Sequence, residues 1–294
     1  MANVLDTIIS HKRLELAAQQ EQRPLETFQS DVRPTSRNFL QALLKPGARF
    51  ILECKKASPS KGLIRANFDL DEIAAVYGKY ADCISVLTDS KFFQGSYDYL
   101  AKVRAKVNQP LLHKDFIIDA YQIYLGRLQG SDAVLLMLSV LNDLEYLELA
   151  KVAKSLNLTV LTEVSNEAET LRAVALGAEL IGINNRDLRT LDTNLETSFK
   201  LARLIPDGIT IVSESGIYSS QQVRQLAKVA DAYLVGSSLM AQADLANACR
   251  SLIRGEHKVC GLTRAEDSKT VYANGAYFGG LIFYPKSPRY VTSE

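Results

Sequence analysis

Several apolar segments of this chain end in side chains that can move protons. FILECK closes on Glu53 and Lys55, two residues apart, and PLLHKD closes on Lys114. TVLTEV carries Glu163 near its end, and LIGINNR ends with Asn184 and Arg186, again two apart. Ammonium and carboxylate groups held together can give and take protons, and a preset ammonium stabilises charge developing on a carbonyl oxygen. Burying a charge costs on the order of several kcal/mol unless it is paired or serves a site. Any one of these residues is equally readable as a solvated rim charge or a structural ion pair. As a converging set they read as an acid–base site. Cys54 and His113, which interrupt the pattern, read as packing residues.

Such convergence needs a scaffold that brings many strand ends to one place. From residue 49 onward, short apolar or β-branched runs (FILECK, CISVLT, PLLHKD, AVLLML, TVLTEV, LIGINN, ITIVSE, AYLVGS) alternate with longer stretches of helical periodicity. Those stretches are LDEIAAVYGKYA, YDYLAKVRAKV, DAYQIYLGRLQ, DLEYLELAKVAKSL, NEAETLRAVALG, LETSFKLARLI and SQQVRQLAKVA, with DLANACRSLIRG after the last strand. Eight strand–helix units match a (β/α)₈ TIM barrel of the α/β class. A doubly wound open sheet has the same alternation and usually fewer strands. DTIISHKRLELAAQ and NFLQALLK, ahead of the first strand, read as extra N-terminal helices, either padding or a cover for one barrel mouth. Strand side chains alternate in direction, so Glu53 and Lys55 share a face and Cys54 takes the other. Barrel chemistry gathers at the C-terminal strand ends, where these charges stand.

The loops after the seventh and eighth strands hold Ser215-Gly216, in SESGIYSS, and Gly236-Ser237, in LVGSSLM. Small residues let backbone N–H groups approach an anion closely, and barrels commonly hold a phosphate in these two loops. One such pair is ordinary turn chemistry; two in the two expected loops point to a phosphorylated small-molecule substrate.

Bulk properties exclude other classes. With 34 Lys and Arg against 33 Asp and Glu, the chain has no global field for nucleic acid or an anionic membrane. The apolar run around AVLLMLSVL is too short to span a bilayer, and the N-terminus lacks the uninterrupted apolar core of a signal peptide, which implies a cytoplasmic protein. The four cysteines are scattered, as reduced thiols would be, and the three histidines lack metal-ligand spacing, so no metal is expected. No nucleophile-elbow signature is present. The oligomeric state is not encoded in any motif, and a monomer is favoured.

The motifs ILECKKASPSKG, LHKDFIID, LTEVSNEAE, IGINNRDL, VSESGI and YLVGSSLM occur in the order of the indole-3-glycerol-phosphate synthase family, which the chain resembles from residue 1 to about 255. The resemblance implies a cofactor-free barrel lyase of tryptophan biosynthesis that closes the indole ring of 1-(2-carboxyphenylamino)-1-deoxyribulose 5-phosphate, losing CO₂ and water. It implies Lys114 as general acid, Lys55 as a contact to the substrate carboxylate and an acid in dehydration, and Glu163 as proton-transfer partner. Glu53 and Asn184 would orient hydroxyls and lysines, Arg186 would border the site, and Ser215, Gly216, Gly236 and Ser237 would hold the phosphate. A crowded cationic site is expected to bring a lysine toward a pKa useful for proton donation. Residues 58–62 should form a mobile first loop closing on substrate.

After Gly255 the text reads as strand, helix, strand, and VCGLTR resembles the start of phosphoribosylanthranilate isomerase, whose catalytic cysteine would be Cys260. The chain thus divides into a synthase barrel at 1–255 and an incomplete isomerase-like segment at 256–294, with isomerase activity expected to be absent and the segment weakly ordered or ordered against a neighbour. Two other functions compete: a Schiff-base aldolase using Lys55 or Lys114, and a non-catalytic sugar-phosphate binding protein.

Overall fold

In the computed structural model, which describes residues 3–293, all eight apolar runs form parallel strands of one closed barrel. They are β1 (Arg49–Cys54), β2 (Cys83–Leu87), β3 (Leu111–Lys114), β4 (Ala133–Met137), β5 (Thr159–Val164), β6 (Leu180–Asn184), β7 (Thr210–Glu214) and β8 (Ala232–Val235). Strand β1 pairs with β2 on one side, Glu53 opposite Ser85, and with β8 on the other, Arg49 opposite Ala232. That closure decides against the open sheet.

Alternation along each strand sorts the side chains. Ile51, Cys83, Leu112, Leu135, Leu161, Leu180, Val212 and Leu234 form one buried cluster that fills the barrel. Two residues further along four of the same rows stand Glu53, Lys114, Glu163 and Glu214, so the apolar filling gives way to charge at the C-terminal end. The opposite faces, with Cys54, Val86, Leu136 and Ile183 among them, are buried against the surrounding helices. His113 lies on that outer side, bonded to Thr88 and beside Gly126 of a flanking helix, which bears out its reading as a packing residue.

The ring of helices comprises α3 (Leu70–Tyr80), α5 (Tyr97–Arg104), α6 (Ala120–Leu128), α7 (Asp143–Ser155), α8 (Glu167–Ala175), α9 (Glu196–Ala202), α10 (Ser220–Leu226) and α12 (Leu245–Arg254); two short helices, α4 (Ser90–Phe93) and α11 (Ser237–Met240), lie in the loops after β2 and β8. Side-chain caps start most of them: Asp69, Ser96, Asp119, Asn166 and Asp244, with full capping boxes at Asn142 and Ser219. Each satisfies backbone donors worth about 1 kcal/mol, which fixes where each loop ends.

The extra helices α1 (Val4–Gln22) and α2 (Phe39–Leu43) serve opposite ends of the barrel. Phe39 and Leu43 of α2 are buried in the interior cluster, and the Phe39 carbonyl accepts from Cys83 at the start of β2. Val4 and Ile8 of α1 line the cleft at the other end. The segment expected as a plain first loop is instead a small antiparallel hairpin, Ala57–Ser58 pairing with Gly62–Leu63.

After α12 the chain forms β9 (Lys258–Cys260), α13 (Ala265–Ala273) and β10 (Phe278–Gly280), with the two strands parallel. This unit docks on α12: Arg250 donates to the carbonyls of Tyr272 and Ala276 with its guanidinium 3.5 Å from the Tyr272 ring centroid, and Asn247 donates to the Tyr277 hydroxyl at 2.7 Å. No described helix is long and apolar enough to cross a membrane. The four cysteines are free thiols, three of them buried.

Candidate active site

The C-terminal strand ends open into a cleft of about 970 Å³ that includes its open mouth. All ten sequence-designated residues line it: Glu53, Lys55, Lys114, Glu163, Asn184 and Arg186 around the strand ends, and Ser215, Gly216, Gly236 and Ser237 in the loops after β7 and β8. Strand register accounts for the convergence. Glu163 on β5 pairs with Gly182 on β6, and Asn184 pairs with Glu214 on β7, so three neighbouring strands terminate at one level.

At the centre, Lys114 Nζ lies 3.2 Å from Glu163 Oε2 and 3.6 Å from Glu214 Oε2. Asn184 Nδ2 donates to the other Glu163 oxygen at 3.0 Å, which fixes that carboxylate from two sides. Lys55 Nζ sits 2.5 Å from Glu53 Oε1, and Ser85 donates to Glu53 Oε2 at 3.4 Å. Burial by itself would lower the Lys114 pKa, but the carboxylates of Glu163, Glu214 and Glu53 outweigh it and raise the group above the ordinary lysine range. The expectation of a lysine brought down by cationic crowding is therefore wrong in sign, because the lysines meet carboxylates rather than each other. Glu53 is also buried, which alone would raise it, but Lys55 and Lys114 hold it below the usual carboxylate range.

Glu214 behaves differently. Burial, with help from Glu163 and Glu53, pushes its carboxyl up to about 8 against the pull of Lys114. Its Oε1 is buried without a hydrogen-bond partner, and a side chain at Gly182 would land on that oxygen. A glycine facing inward on β6 thus makes room for a carboxyl on β7. Glu214 therefore holds its proton to higher pH than an ordinary carboxylic acid and, while protonated, can donate as well as accept.

The second side of the cleft is formed by the two glycine-serine turns after β7 and β8. Ser215 and Gly216 follow one another in the left-handed region, with φ of 66° and 77°, a sharp turn that costs a serine energy and is kept where surroundings impose it. Asn185 imposes it, donating to the carbonyls of Glu214 and Ser215 at 3.0 and 3.1 Å. At Gly236 a side chain would strike the Glu53 carboxylate, so glycine lets the loop after β8 pass close to the charged cluster. Ser238 donates to the Ile217 carbonyl at 2.7 Å and ties the two loops together.

Above the cleft, Arg186 donates to Ser60 of the hairpin at 2.8 Å, and Lys61 Nζ lies 3.3 Å from the Tyr218 hydroxyl. The hairpin is thereby held against the loops after β6 and β7. A third side of the cleft is apolar: Phe93, Phe116, Met137, Leu188 and Leu191, completed by Val4 and Ile8 of α1.

Two features escaped sequence reasoning. Glu214 had a usable signal, since it follows Val212 by two residues and ends β7, much as Glu163 stands near the end of its own strand. The apolar wall had none, because apolar residues in loops look the same whether they face a substrate or a helix. Among the described residues no cluster of His, Cys, Asp and Glu fit to hold a metal ion is present.

Comparison with known proteins places the chain in a family. Residues 5–252 match the family described as indole-3-glycerol phosphate synthase. The chain is 56% identical over 294 residues to the tryptophan biosynthesis protein TrpCF of Vibrio cholerae, covering all of this chain and 63% of that protein. Against the TrpCF proteins of Yersinia pestis and Salmonella typhi it is 56% and 53% identical, covering 61% and 65% of them. The chain thus spans less than two thirds of the length of these relatives. Among solved structures, a 3-hexulose-6-phosphate synthase aligns with a TM-score of 0.58 at 14% identity, over 70% of this chain and 99% of that one. A likeness at that identity speaks for the barrel fold alone.

Proposed function

The chain belongs to the indole-3-glycerol phosphate synthase family, and from that membership we propose that it closes the indole ring of 1-(2-carboxyphenylamino)-1-deoxyribulose 5-phosphate, releasing CO₂ and water. The observation that carries the proposal is Lys114 held between Glu163 and Glu214, at 3.2 and 3.6 Å, in a cleft with a pair of glycine-serine turns on one side and an apolar wall on another. A long substrate with an aryl group at one end and a phosphate at the other fits that division.

In this reading the turns at Ser215-Gly216 and Gly236-Ser237 take the phosphate, and the apolar wall takes the aryl ring. Lys114 donates its proton to the ketone oxygen as the ring carbon bearing the carboxylate attacks the carbonyl carbon. Loss of CO₂ from that ring carbon restores aromaticity. Lys55, beside Glu53, holds the departing carboxylate and then protonates the new hydroxyl so that it leaves as water. Glu163 takes the proton released from the neighbouring carbon, which forms the indole double bond. Asn184 keeps Glu163 oriented. Arg186 and Ser60 fasten the hairpin over the bound substrate, excluding water and strengthening each of these contacts.

The same electrostatics argue against the Schiff-base aldolase. A lysine must be a neutral amine to add to a carbonyl, and the carboxylates around Lys114 hold it as an ammonium. All residues lining the cleft lie at or before Ser238, so the proposal concerns the barrel and assigns no role to the segment from 256 onward. The direct test supplies the carboxyphenylamino-deoxyribulose phosphate and follows indole absorbance and fluorescence. Stoichiometric release of CO₂ with indole formation is expected. Substrate recovered unchanged would overturn the reading, and a borohydride-trapped covalent adduct would favour the aldolase.

A further inference from the structure

The most buried cation outside the cleft is Lys12, on α1, with a side chain only 5% exposed. Its Nζ lies 2.9 Å from Asp89, 2.9 Å from Asp115 and 2.7 Å from Glu15. A lysine is buried this deeply only when its charge is matched, and here two of the partners come from different strand–loop junctions. Asp89 stands at the end of β2, where it caps α4 by accepting from the backbone of Phe92 and Phe93 at 2.8 and 3.3 Å. Asp115 stands just past β3, where it accepts from Thr88 and from the backbone of Phe116 at 2.8 Å. Each aspartate therefore fixes the backbone of one aromatic residue of the apolar wall, Phe93 or Phe116, whose rings lie 6.0 Å apart. Asp115 also directly follows Lys114. One turn of α1 away from Lys12, Ile8 lines the same wall.

We propose that Lys12 is a positioning residue for recognition of the aryl end of the substrate: by tying Asp89 and Asp115 to α1 it holds Phe93, Phe116 and α1 itself as one rigid apolar slot. The inference rests on the synthase reading for what fills the slot. Lys12 touches no substrate atom; it acts through the two aspartates. Among the described residues no hydrogen bond or ion pair of Lys12, Asp89 or Asp115 reaches the turns after β7 and β8, so the two ends of the substrate should respond separately to removal of Lys12.

The test uses the ketone-reduced alcohol of the carboxyphenylamino-deoxyribulose phosphate, which can bind but not react, and inorganic phosphate as a probe of the turns alone. In Lys12→Met, calorimetry should show the dissociation constant of the alcohol raised at least about tenfold, about 1.4 kcal/mol of lost contact with the apolar slot, with that of phosphate within about twofold of wild type. Lys12→Arg, which keeps the charge, should restore most of the affinity. In a Phe93→Ala/Phe116→Ala background, Lys12→Met should add little, since the rings it positions are gone. Removing a cation from beside two buried aspartates risks unfolding, so the same ratio is read in Lys12→Met/Asp89→Asn, which leaves one buried carboxylate fewer unmatched. Unchanged affinity for the alcohol, parallel weakening of phosphate, or a full effect persisting without the two rings would each overturn the inference. A wild-type protein that binds the alcohol but does not turn over the parent ketone would sink the synthase reading, while the Lys12 comparison would still be read from binding.

Discussion

At the scale of single residues, the centre of the site is a lysine whose neighbours are all acids. Lys114→Ala should lower turnover at least ~100-fold, the usual effect of removing a positioned acid, while phosphate still binds; steady-state kinetics and calorimetry check the two halves. Glu214 offers a test by pH. Because burial raises its carboxyl from 4.5 to about 8, the folded protein keeps a proton that the unfolded chain has already released across that window. The stability this group contributes is therefore full below pH 4.5 and lost as pH rises through 8. Glu214→Gln should raise the thermal midpoint relative to wild type more at pH 8.5 than at pH 5, and an equal gain at both would contradict the assignment. The other acids of the cluster were legible because each closes an apolar run with an abrupt change of chemistry. Glu214 ends the run ITIVSE in the same way, but it sits between two serines in SESG, whose glycine-serine turn drew the reading toward the phosphate instead. The direction of the lysine shift was not legible at all, since it depends on which strand ends are neighbours.

At the scale of elements, the barrel strands were readable as short apolar or β-branched runs and the long helices from periodicity, and both stand where the sequence puts them. The hairpin at 57–63 was not readable, because Ser-Pro-Ser-Lys-Gly has the composition of an unstructured loop, and its place is set by the burial of Ala57 and Ser58 and by the clasps to Arg186 and Tyr218. The role of α1 was half readable: its amphipathic pattern shows a helix, but that it supplies Val4 and Ile8 to the cleft follows from packing. The β9–α13–β10 unit is held to the barrel through Arg250, itself buried with a relative exposure of 5%. Arg250→Ala should speed proteolytic cleavage after residue 255 several-fold, with the barrel's thermal midpoint little changed. Cleavage at the wild-type rate would mean that the apolar contacts of the unit, not the arginine, hold it.

At the scale of the whole molecule, the barrel uses its length to separate tasks. One end is closed by α2, and the charges near its strand starts are taken up in ion pairs, Arg49 with Asp82 and both Arg104 and Arg127 with Asp132. The interior is filled with apolar side chains, and the far end gathers three acids, two lysines and two glycine-serine turns from separate strand ends. Gly182 and Gly236 show how tightly that end is fitted, since a single Cβ at either would displace a carboxyl. The central claim is that this rim binds one molecule lengthwise, phosphate toward β7 and β8 and aryl ring toward α1, with the reacting oxygen at Lys114. A crystal structure with the ketone-reduced alcohol tests it most directly. The account predicts the phosphate in the turns of Ser215-Gly216 and Gly236-Ser237 and the new hydroxyl within hydrogen-bonding distance of Lys114 Nζ. A phosphate seated elsewhere, or a hydroxyl out of reach of Lys114, would contradict it.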